Sequence, residues 1–222
     1  MFNLLRYFSV TSLFSILAAT VGLSFLYREF ALRDLSRVGE EHNEVLAKFI
    51  TNTIWPELAP FFASAPSLTA DEIRSHAETT RLHERLRAIT SDTTVLKIKI
   101  YSLDGRTVYS SEARQIGEDE SRNGGFVAAR SGKAATEITY RDKFSAFEET
   151  VFDRGVLASY MLVRPPGADR INAVLEVYDD ITPFLKNIER TQRTVILGVL
   201  LVLGLLYGVL LIIVRTLIGS YS

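Results

Sequence analysis

Residues 174–201 read VLEVYDDITPFLKNIERTQRTVILGVLL, and they join three segments that suit different solvents. The first segment alternates apolar and polar residues, which predicts a strand with two different faces. Thr182 and Pro183 follow. Threonine favours the cap of a helix and proline favours its first turn, so a helix is expected to begin here. Its charged beginning gives way to a wholly apolar run, so we expect one helix that leaves a folded domain and enters a membrane.

Two apolar runs without charged residues, 8–27 and 194–214, flank the rest of the chain. At about 1.5 Å per residue, each run can cross a hydrocarbon core of about 30 Å as a helix. The first run exceeds the apolar part of a signal peptide and lacks its cleavage pattern, so we expect an uncleaved anchor. The predicted organisation is a tail with the first span at 1–27, a central domain at 28–193, the second span at 194–214 and a short tail at 215–222.

The central domain begins with two predicted helices. The first carries a heptad pattern that predicts pairing with a second copy of the chain over residues 32–54. Its seam positions are Leu35, Val38, His42, Val45, Phe49 and Asn52. His42 either fixes the register of this pair or titrates within it. Thr69 and Glu72 have the spacing of a capping box at the start of the second helix.

The hydrophobic period changes to two after residue 94. Leu96, Ile98 and Ile100 are expected on one face, and Lys97, Lys99 and Tyr101 on the other. The turn at Asp104-Gly105 predicts a hairpin with a second strand at 107–110. Three further strands are predicted at 134–142, 156–164 and 171–179, with residues 165–170 between the last two. This order predicts an α+β fold whose five-stranded antiparallel sheet forms a meander with helices on one face.

Composition excludes several function classes. The formal net charge of -1 gives no reason to expect nucleic-acid binding. The absence of cysteine excludes disulfides, thiolate zinc sites and cysteine nucleophiles. His76 and His83 would lie about 10 Å apart on one helix, too far to bind one ion unaided. No catalytic triad or phosphate-binding glycine motif stands out, so we expect no catalytic residue, metal or cofactor.

Four segments together resemble a known family. They are NEVLAKFITNTIWPEL (43–58), IKIYSLDGRTVYSS (98–111), IGEDESRNGGFVAARSGK (116–133) and AVLEVYDDITPFLKNIERTQ (173–192). Their order between two spans resembles the N-terminal sensor half of bacterial sensor histidine kinases and diguanylate cyclases. In these proteins, a PAS-like, single-Cache-type extracytoplasmic domain lies between two transmembrane helices.

The resemblance implies a multi-pass protein of the bacterial inner membrane, with residues 28–193 outside the cytoplasm and both termini inside it. Charge alone does not decide this topology, because a long central segment translocates largely regardless of its charge. No kinase or cyclase signature follows the second span, so an enzyme activity is not expected in this chain. It would belong to a missing C-terminal region.

The resemblance also implies a ligand pocket between the sheet and the connector before the third strand. The residues expected to contact a small molecule are Tyr109, Arg122, Phe126, Tyr160 and Arg164. An arginine in such a site favours a carboxylate ligand, because its guanidinium forms two parallel hydrogen bonds with a carboxylate.

The exit helix is expected to transmit the signal. A heptad seam runs through Ile181, Leu185, Ile188, Gln192, Val195, Val199 and Val202. It is expected to face a second copy of the chain, so the predicted homodimer forms through the helices at 32–54 and 183–214. Gly204 and Gly208 form a GxxxG pair on another face, where the first span is expected to pack. The leading hypothesis is a transmembrane sensor module. The alternative is a two-span adaptor that acts by association alone and senses no ligand.

Overall fold

The computed structural model describes residues 2–147, 149–164 and 172–219. The helices in these ranges are α1 Phe2–Thr53, α2 Trp55–Ser64, α3 Ala70–Ser75, α4 Ala77–Thr90, α5 Gly124–Arg130 and α6 Thr182–Gly219. The strands are β1 Val95–Tyr101, β2 Thr107–Ser110, β3 Ala135–Ser145, β4 Thr150–Val163 and β5 Ala173–Asp180. The predicted connection at 165–170 lies outside the described residues.

The chain forms two compact units. One, the sheet domain, comprises Leu35–Pro183, and the other, the helix pair, comprises Met1–Asp34 and Phe184–Ser222. The sheet domain confirms the predicted α+β class, with five antiparallel strands in the order β2-β1-β5-β4-β3. The expected meander is wrong, because β5 pairs with both β1 and β4. The last strand is therefore the central one.

The main core lies between one face of the sheet and the helices. In its C-terminal part α1 buries Asn43, Ala47, Ile50 and Thr51, and Ile54 follows directly after the helix. This face packs with α2, α3 and α4 against Ile98, Leu175 and Val177. Burying each large aliphatic side chain contributes about 1.5–3 kcal/mol. The predicted heptad seam of α1 is a different face, and its Val45 is 68% exposed. The dimer through residues 32–54 therefore remains a prediction.

The second predicted helix is interrupted at His76. The predicted capping box is present, since Thr69 Oγ1 accepts from Glu72 N at 3.3 Å and Glu72 Oε2 accepts from Thr69 N at 2.6 Å. His76 then has an extended backbone, and its Nδ1 accepts from Glu78 N at 3.2 Å to begin α4. Two helices therefore replace the single helix that the sequence led us to expect.

The start of α6 is tied to β4. Thr182 and Pro183 begin the helix as predicted. The Thr182 hydroxyl accepts from Gly155 N at 3.0 Å, and Asp180 Oδ1 accepts from Thr182 N at 2.9 Å. The threonine side chain therefore binds the neighbouring strand and does not cap its own helix, which corrects the expected cap. Arg154 pairs with Asp180 at 3.0 Å and adds a second tie to β4.

The seam of α6 is covered within the helix pair. Leu185, Ile188, Val195 and Val199 are half-buried, and Gln192 Nε2 donates to Ser24 Oγ on α1 at 2.7 Å. Because α1 and α6 are the elements of this unit, α1 shields the seam. A Cβ added at Gly204 or Gly208 would meet nothing within 4 Å. As far as Val199 the first helix thus lies on the seam that was expected to face a second copy of the chain, whereas Val202 is 54% exposed.

The contact between Ser24 and Gln192 predicts a link within one chain. In a chain without native cysteine, the pair Ser24→Cys and Gln192→Cys should react with a short bis-methanethiosulfonate reagent in membranes and give an intrachain crosslinked peptide by mass spectrometry. The control pair Ser24→Cys and Leu197→Cys should not, because Leu197 is 68% exposed. A band of dimer mass without the intrachain peptide would contradict the arrangement.

Candidate ligand-binding site

The second face of the sheet is covered as well, although helices were expected on one face. Phe126 and Ala129 of α5 are buried against Tyr101 and Val174, and Asn123 Oδ1 caps α5 by accepting from Phe126 N at 3.1 Å. Two rows of side chains cross this face in register: Lys99, Glu176 and Tyr160 in one, and Lys97, Tyr178 and Ala158 in the other. Charged groups therefore lie inside the domain, where each needs a partner.

A polar cavity of about 410 Å³ opens over the small side chain of Ala158. Its charged lining residues are Lys97, Lys99, Glu112, Glu120, Glu137, Arg141 and Lys143, and its neutral polar ones are Gln115, Asn123, Thr139, Ser145, Tyr160 and Tyr178. The volume falls in the range of about 300–1,000 Å³ that is usual for small-molecule sites. We call this space the polar cavity.

The positive charge of Lys97 is compensated by neighbouring groups of the protein. Only 4% of its surface is exposed, and its Nζ donates to Glu112 Oε2 at 2.9 Å and to Gln115 Oε1 at 3.3 Å. The same ammonium lies 4.4 Å from the ring centroid of Phe144, a cation–π contact. Burial lowers the pKa of Lys97, while hydrogen bonding and charge from Glu112 act in the opposite direction.

Lys99 binds the connector between β2 and α5. Its Nζ lies 3.6 Å from Glu120 and 4.0 Å from Glu118. This buried lysine therefore turns its charge toward the connector and forms no ion pair with Glu176, the residue directly opposite it on β5. The ion pairs of Lys97 and Lys99 hold the acidic connector over the sheet.

Glu176 is the most enclosed charged residue of the site. Its side chain is 0% exposed, the Tyr101 hydroxyl donates to its Oε2, and its Oε1 has no hydrogen-bond partner in the described part of the chain. Burial first, and the Glu176 charge second, raise the pKa of Tyr101, Tyr160 and Tyr178. All three hydroxyls therefore remain protonated near neutral pH and can donate hydrogen bonds.

The rim of the polar cavity carries two cations without an ion-pair partner beside the exposed Glu137. Arg141 and Lys143 are exposed on β3, on the same side as Thr139, and neither has an ion-pair partner among residues 2–147, 149–164 and 172–219. Guanidinium and ammonium groups without a partner favour the carboxylate of a ligand. The interior lysines, which already have glutamate partners, are less suited to this role.

The five predicted contact residues do not share one site. Tyr160 lines the polar cavity, and its hydroxyl accepts from Asn123 Nδ2 at 3.1 Å. Tyr109 faces the main core on the opposite side of the sheet, because it pairs with Ile100. Phe126 is buried between α5 and the sheet, where its ring contacts Tyr101, and Arg122 is exposed outside the lining. Arg164 lines a second cavity of about 430 Å³ beside Glu40, Glu44 and Lys48 of α1.

Sequence reasoning missed Lys97, Lys99, Glu176 and Tyr178. Two lysines that alternate with isoleucines on one strand need acidic partners if the second face is covered, and Glu118 and Glu120 supply a nearby acidic segment. The predicted placement of Lys97, Lys99 and Tyr101 on a face apart from Ile98 and Ile100 is confirmed. Leu96 departs from it, because the register shifts between Val95 and Lys97 and Leu96 packs near Phe144.

Gly125 allows α5 to approach the sheet. A Cβ at this position would lie 2.2 Å from two ring atoms of Tyr160, whereas a Cβ at the neighbouring Gly124 would meet nothing within 4 Å. The glycine therefore sets the position of the Tyr160 ring at the cavity wall.

The two adjacent glycines provide a matched test. Gly125→Ala should lower the free energy of unfolding by about 1–3 kcal/mol, because the Tyr160 ring must move in a packed region. Gly124→Ala should change stability little or raise it slightly, since alanine favours a helix more than glycine does. Thermal unfolding of the full chain in nanodiscs measures both, and equal effects of the two substitutions would contradict the described packing.

Among the described residues, no cluster of three or more histidine, cysteine or acidic side chains could hold a metal ion. His83 instead lies 3.2 Å from the Tyr109 hydroxyl, and His76 stacks near Phe61. The arrangement of the polar cavity suits non-covalent binding of a small polar molecule.

Comparison with known proteins gives similarity in structure without similarity in sequence. No family model matches the chain, and no curated protein matches it. The fold is similar to that of extracytoplasmic sensor domains of histidine kinases and chemoreceptors. The Escherichia coli DcuS sensor domain has a TM-score of 0.46 and 13% identity, with 70% of this chain and 98% of that chain covered.

Two other solved structures show similar values. The periplasmic domain of RsbU from Chlamydia trachomatis has a TM-score of 0.46 and 14% identity, with 81% of this chain and 59% of that chain covered. The sensory domain of the Campylobacter jejuni chemoreceptor Tlp3, solved with isoleucine bound, has a TM-score of 0.42 and 15% identity, with 81% and 65% covered. This chain thus spans about three fifths of the length of these two structures.

Proposed function

We propose that this chain is a transmembrane sensor module whose polar cavity binds a small molecule. The observation that carries the proposal is the polar cavity of about 410 Å³, whose wall includes Tyr160 and Tyr178. Glu176 is fully buried on the same face of the sheet without lining the cavity, and its Oε1 has no hydrogen-bond partner in the described part of the chain. Buried polar atoms are rarely left without a partner, since losing hydration costs about 1–3 kcal/mol. The hydroxyl of Tyr160 or Tyr178 would supply the missing bond by turning toward Glu176 when a ligand occupies the cavity.

The proposed ligand carries a carboxylate. The supporting feature is the pair of unpartnered cations, Arg141 and Lys143, at the rim of the polar cavity. In the cavity wall, Tyr160 and Tyr178 offer hydroxyl donors, and Glu120 together with the exposed Glu137 offers acceptors. A molecule with an ionised carboxylate outward and a hydrogen-bonding group inward would complement this distribution of charge.

Filling the polar cavity tests the site. Thermal shift of the full chain in nanodiscs, screened with succinate, citrate, L-glutamate, L-isoleucine and putrescine, should identify a binder among the carboxylates. Ala158→Leu should weaken its binding at least about tenfold, which corresponds to about 1.4 kcal/mol, because the larger side chain occupies the space of the ligand.

The control is Arg164→Ala, which alters the second cavity and should leave binding unchanged. Loss of binding with Arg164→Ala but not with Ala158→Leu would place the ligand in the second cavity. Stabilisation by putrescine alone would contradict a carboxylate ligand.

We further propose that both long helices cross the bacterial inner membrane, with the sheet domain outside the cytoplasm and both termini inside it. The supporting features are length and composition: helices within Ser9–Thr53 and Thr182–Thr216 contain windows of mean hydropathy 1.8 and 3.0. Of those windows, 11% and 0% are buried inside the protein. Apolar side chains such as Leu197 and Leu205 are then available to lipid.

In this proposal, α6 transmits the signal through Thr182, Pro183, Leu185, Ile188, Val195 and Val199. Its support is the continuity of the helix from Thr182 to Gly219, which begins directly after the central strand. A movement of about 1–2 Å is typical of such helix shifts. The ligand can drive it only by binding the two arrangements with different affinity. We propose a homodimer through the exposed stripe Val38, Val45 and Phe49 on α1. In this dimer, α6 would move relative to the second chain.

The alternative, a two-span adaptor without a ligand, is favoured by the same exposed apolar stripe on α1. An adaptor would lose its association when Val45→Asp is introduced, and Ala158→Leu would have no effect on it. A sensor would respond to Ala158→Leu through its binding affinity. The two substitutions therefore separate the two functions.

A further inference from the structure

A buried polar cluster joins α1 to the central strand on the apolar side of the sheet. Asn43 Nδ2 donates to Asp179 Oδ2 at 2.6 Å and to Ser159 Oγ at 3.0 Å, and Thr94 Oγ1 donates to Asp179 Oδ1 at 3.0 Å. Asp179 is 5% exposed and Asn43 is 0% exposed. The cluster thus connects α1, the turn before β1, β4 and β5 through one carboxyl group.

The carboxyl group of Asp179 has no strong countercharge. No lysine or arginine in the described part of the chain forms an ion pair with it, and its hydrogen-bond donors are a neutral amide and a neutral hydroxyl. His42 on α1 is the titratable side chain whose charge acts on it, while Ser159 from β4 and Thr94 carry no charge. Tyr178 and Asp180 neighbour it on β5, and Asp180 pairs with Arg154.

An ionised carboxylate in such a place is costly, because burial removes hydration that no cation replaces. Burial raises the pKa of Asp179, and the bonds from Asn43 and Thr94 together with the charge of His42 only partly oppose this. The same arrangement also accommodates the protonated carboxyl group. A proton on Oδ1 can be donated to Thr94 Oγ1 across the same 3.0 Å, while Oδ2 continues to accept from Asn43.

The position of the cluster links this proton to the helices. Asn43 lies on the buried face of α1, and Asp179 lies three positions before the start of α6 at Thr182. Detaching α1 from the sheet would expose Asp179 to water and remove the cost of its charge. Protonation of Asp179 removes the same cost of a buried charge while α1 stays on the sheet.

We propose that Asp179 is a proton-binding site through which extracytoplasmic acidity tightens the packing of residues 35–53 of α1 on the sheet, a second input beside the small molecule. This inference rests on one part of the proposed function, the location of the sheet domain outside the cytoplasm. It does not depend on the ligand of the polar cavity, which lies on the other face of the sheet.

The direction follows from linkage between proton binding and packing. In the packed state, with α1 on the sheet, the pKa of Asp179 is above its ordinary value of 3.8, which applies when α1 is detached. At a pH between these two pKa values, Asp179 holds a proton in the packed state and has lost it in the detached state. Across this window, each rise in pH weakens the packed state, and each fall strengthens it. Packing is therefore tightest below the window and weakest above it.

Hydrogen exchange of the full chain in nanodiscs, without added ligand, tests the proposal. After correction for the intrinsic rate, the amides of residues 40–54 should exchange more slowly as pH falls from about 8 to about 4, by up to about tenfold per unit of pKa difference between the two states. Asp179→Asn should keep exchange slow throughout and abolish this dependence, since the side chain is neutral at every pH.

Two controls keep the result decisive. Asp180→Asn changes the adjacent carboxyl group and should retain the dependence on pH. His42→Gln leaves Asp179 intact and should move the midpoint to higher pH, because a protonated histidine lowers the pKa of Asp179. Dependence on pH that persists in Asp179→Asn, or a midpoint that His42→Gln leaves in place or lowers, would overturn the proposal.

Discussion

The structure depends on the central position of β5. This strand pairs with β1 on one side and β4 on the other, and its residues alternate between two covered faces. Leu175 and Val177 enter the main core, while Glu176 and Tyr178 enter the polar side. Because both faces are covered, each polar side chain of β5 needs a partner within the protein. The ion pairs, the tyrosine hydroxyls and the Asn43–Asp179 cluster supply these partners, except at Glu176 Oε1.

The same strand connects the two proposed inputs with the exit helix. Glu176 lies beside the polar cavity, Asp179 lies in the cluster with α1, and Thr182 begins α6. The hydrogen bond from Gly155 N to Thr182 Oγ1 fixes the start of α6 to β4, so a shift between these central strands changes the position of that start. The ligand and the proton would act from opposite faces of one element.

Much of the fold could be predicted from local patterns. The alternation of Ile98 and Ile100 with the lysines follows from the two faces of a strand, and the Thr69 capping box reflects contacts between near neighbours in sequence. The helix start at Thr182 and Pro183 was predicted, but the partner of the Thr182 hydroxyl, Gly155 of a distant strand, was not. The insertion of β5 between β1 and β4 could not be predicted, because strand order depends on packing between distant segments. The break at His76 was missed, since its side chain caps α4 without a characteristic motif. The five site residues were predicted from the resemblance to a family, and the structure places them on different faces of the sheet. Side chains alternate between the two faces along β2, so Tyr109 points away from the face that carries Tyr160.

The central claim is that the charged face of the sheet holds the ligand site, and fluorine NMR tests it most directly. The full chain, labelled with 3-fluorotyrosine and placed in nanodiscs, would be titrated with succinate, citrate, L-glutamate, L-isoleucine and putrescine, with Tyr→Phe variants to assign the signals. We expect a carboxylate that raises the melting temperature to shift the Tyr160 and Tyr178 resonances and leave Tyr109 unchanged. A stabilising compound that shifts Tyr109, or that leaves both Tyr160 and Tyr178 unchanged, would contradict the claim.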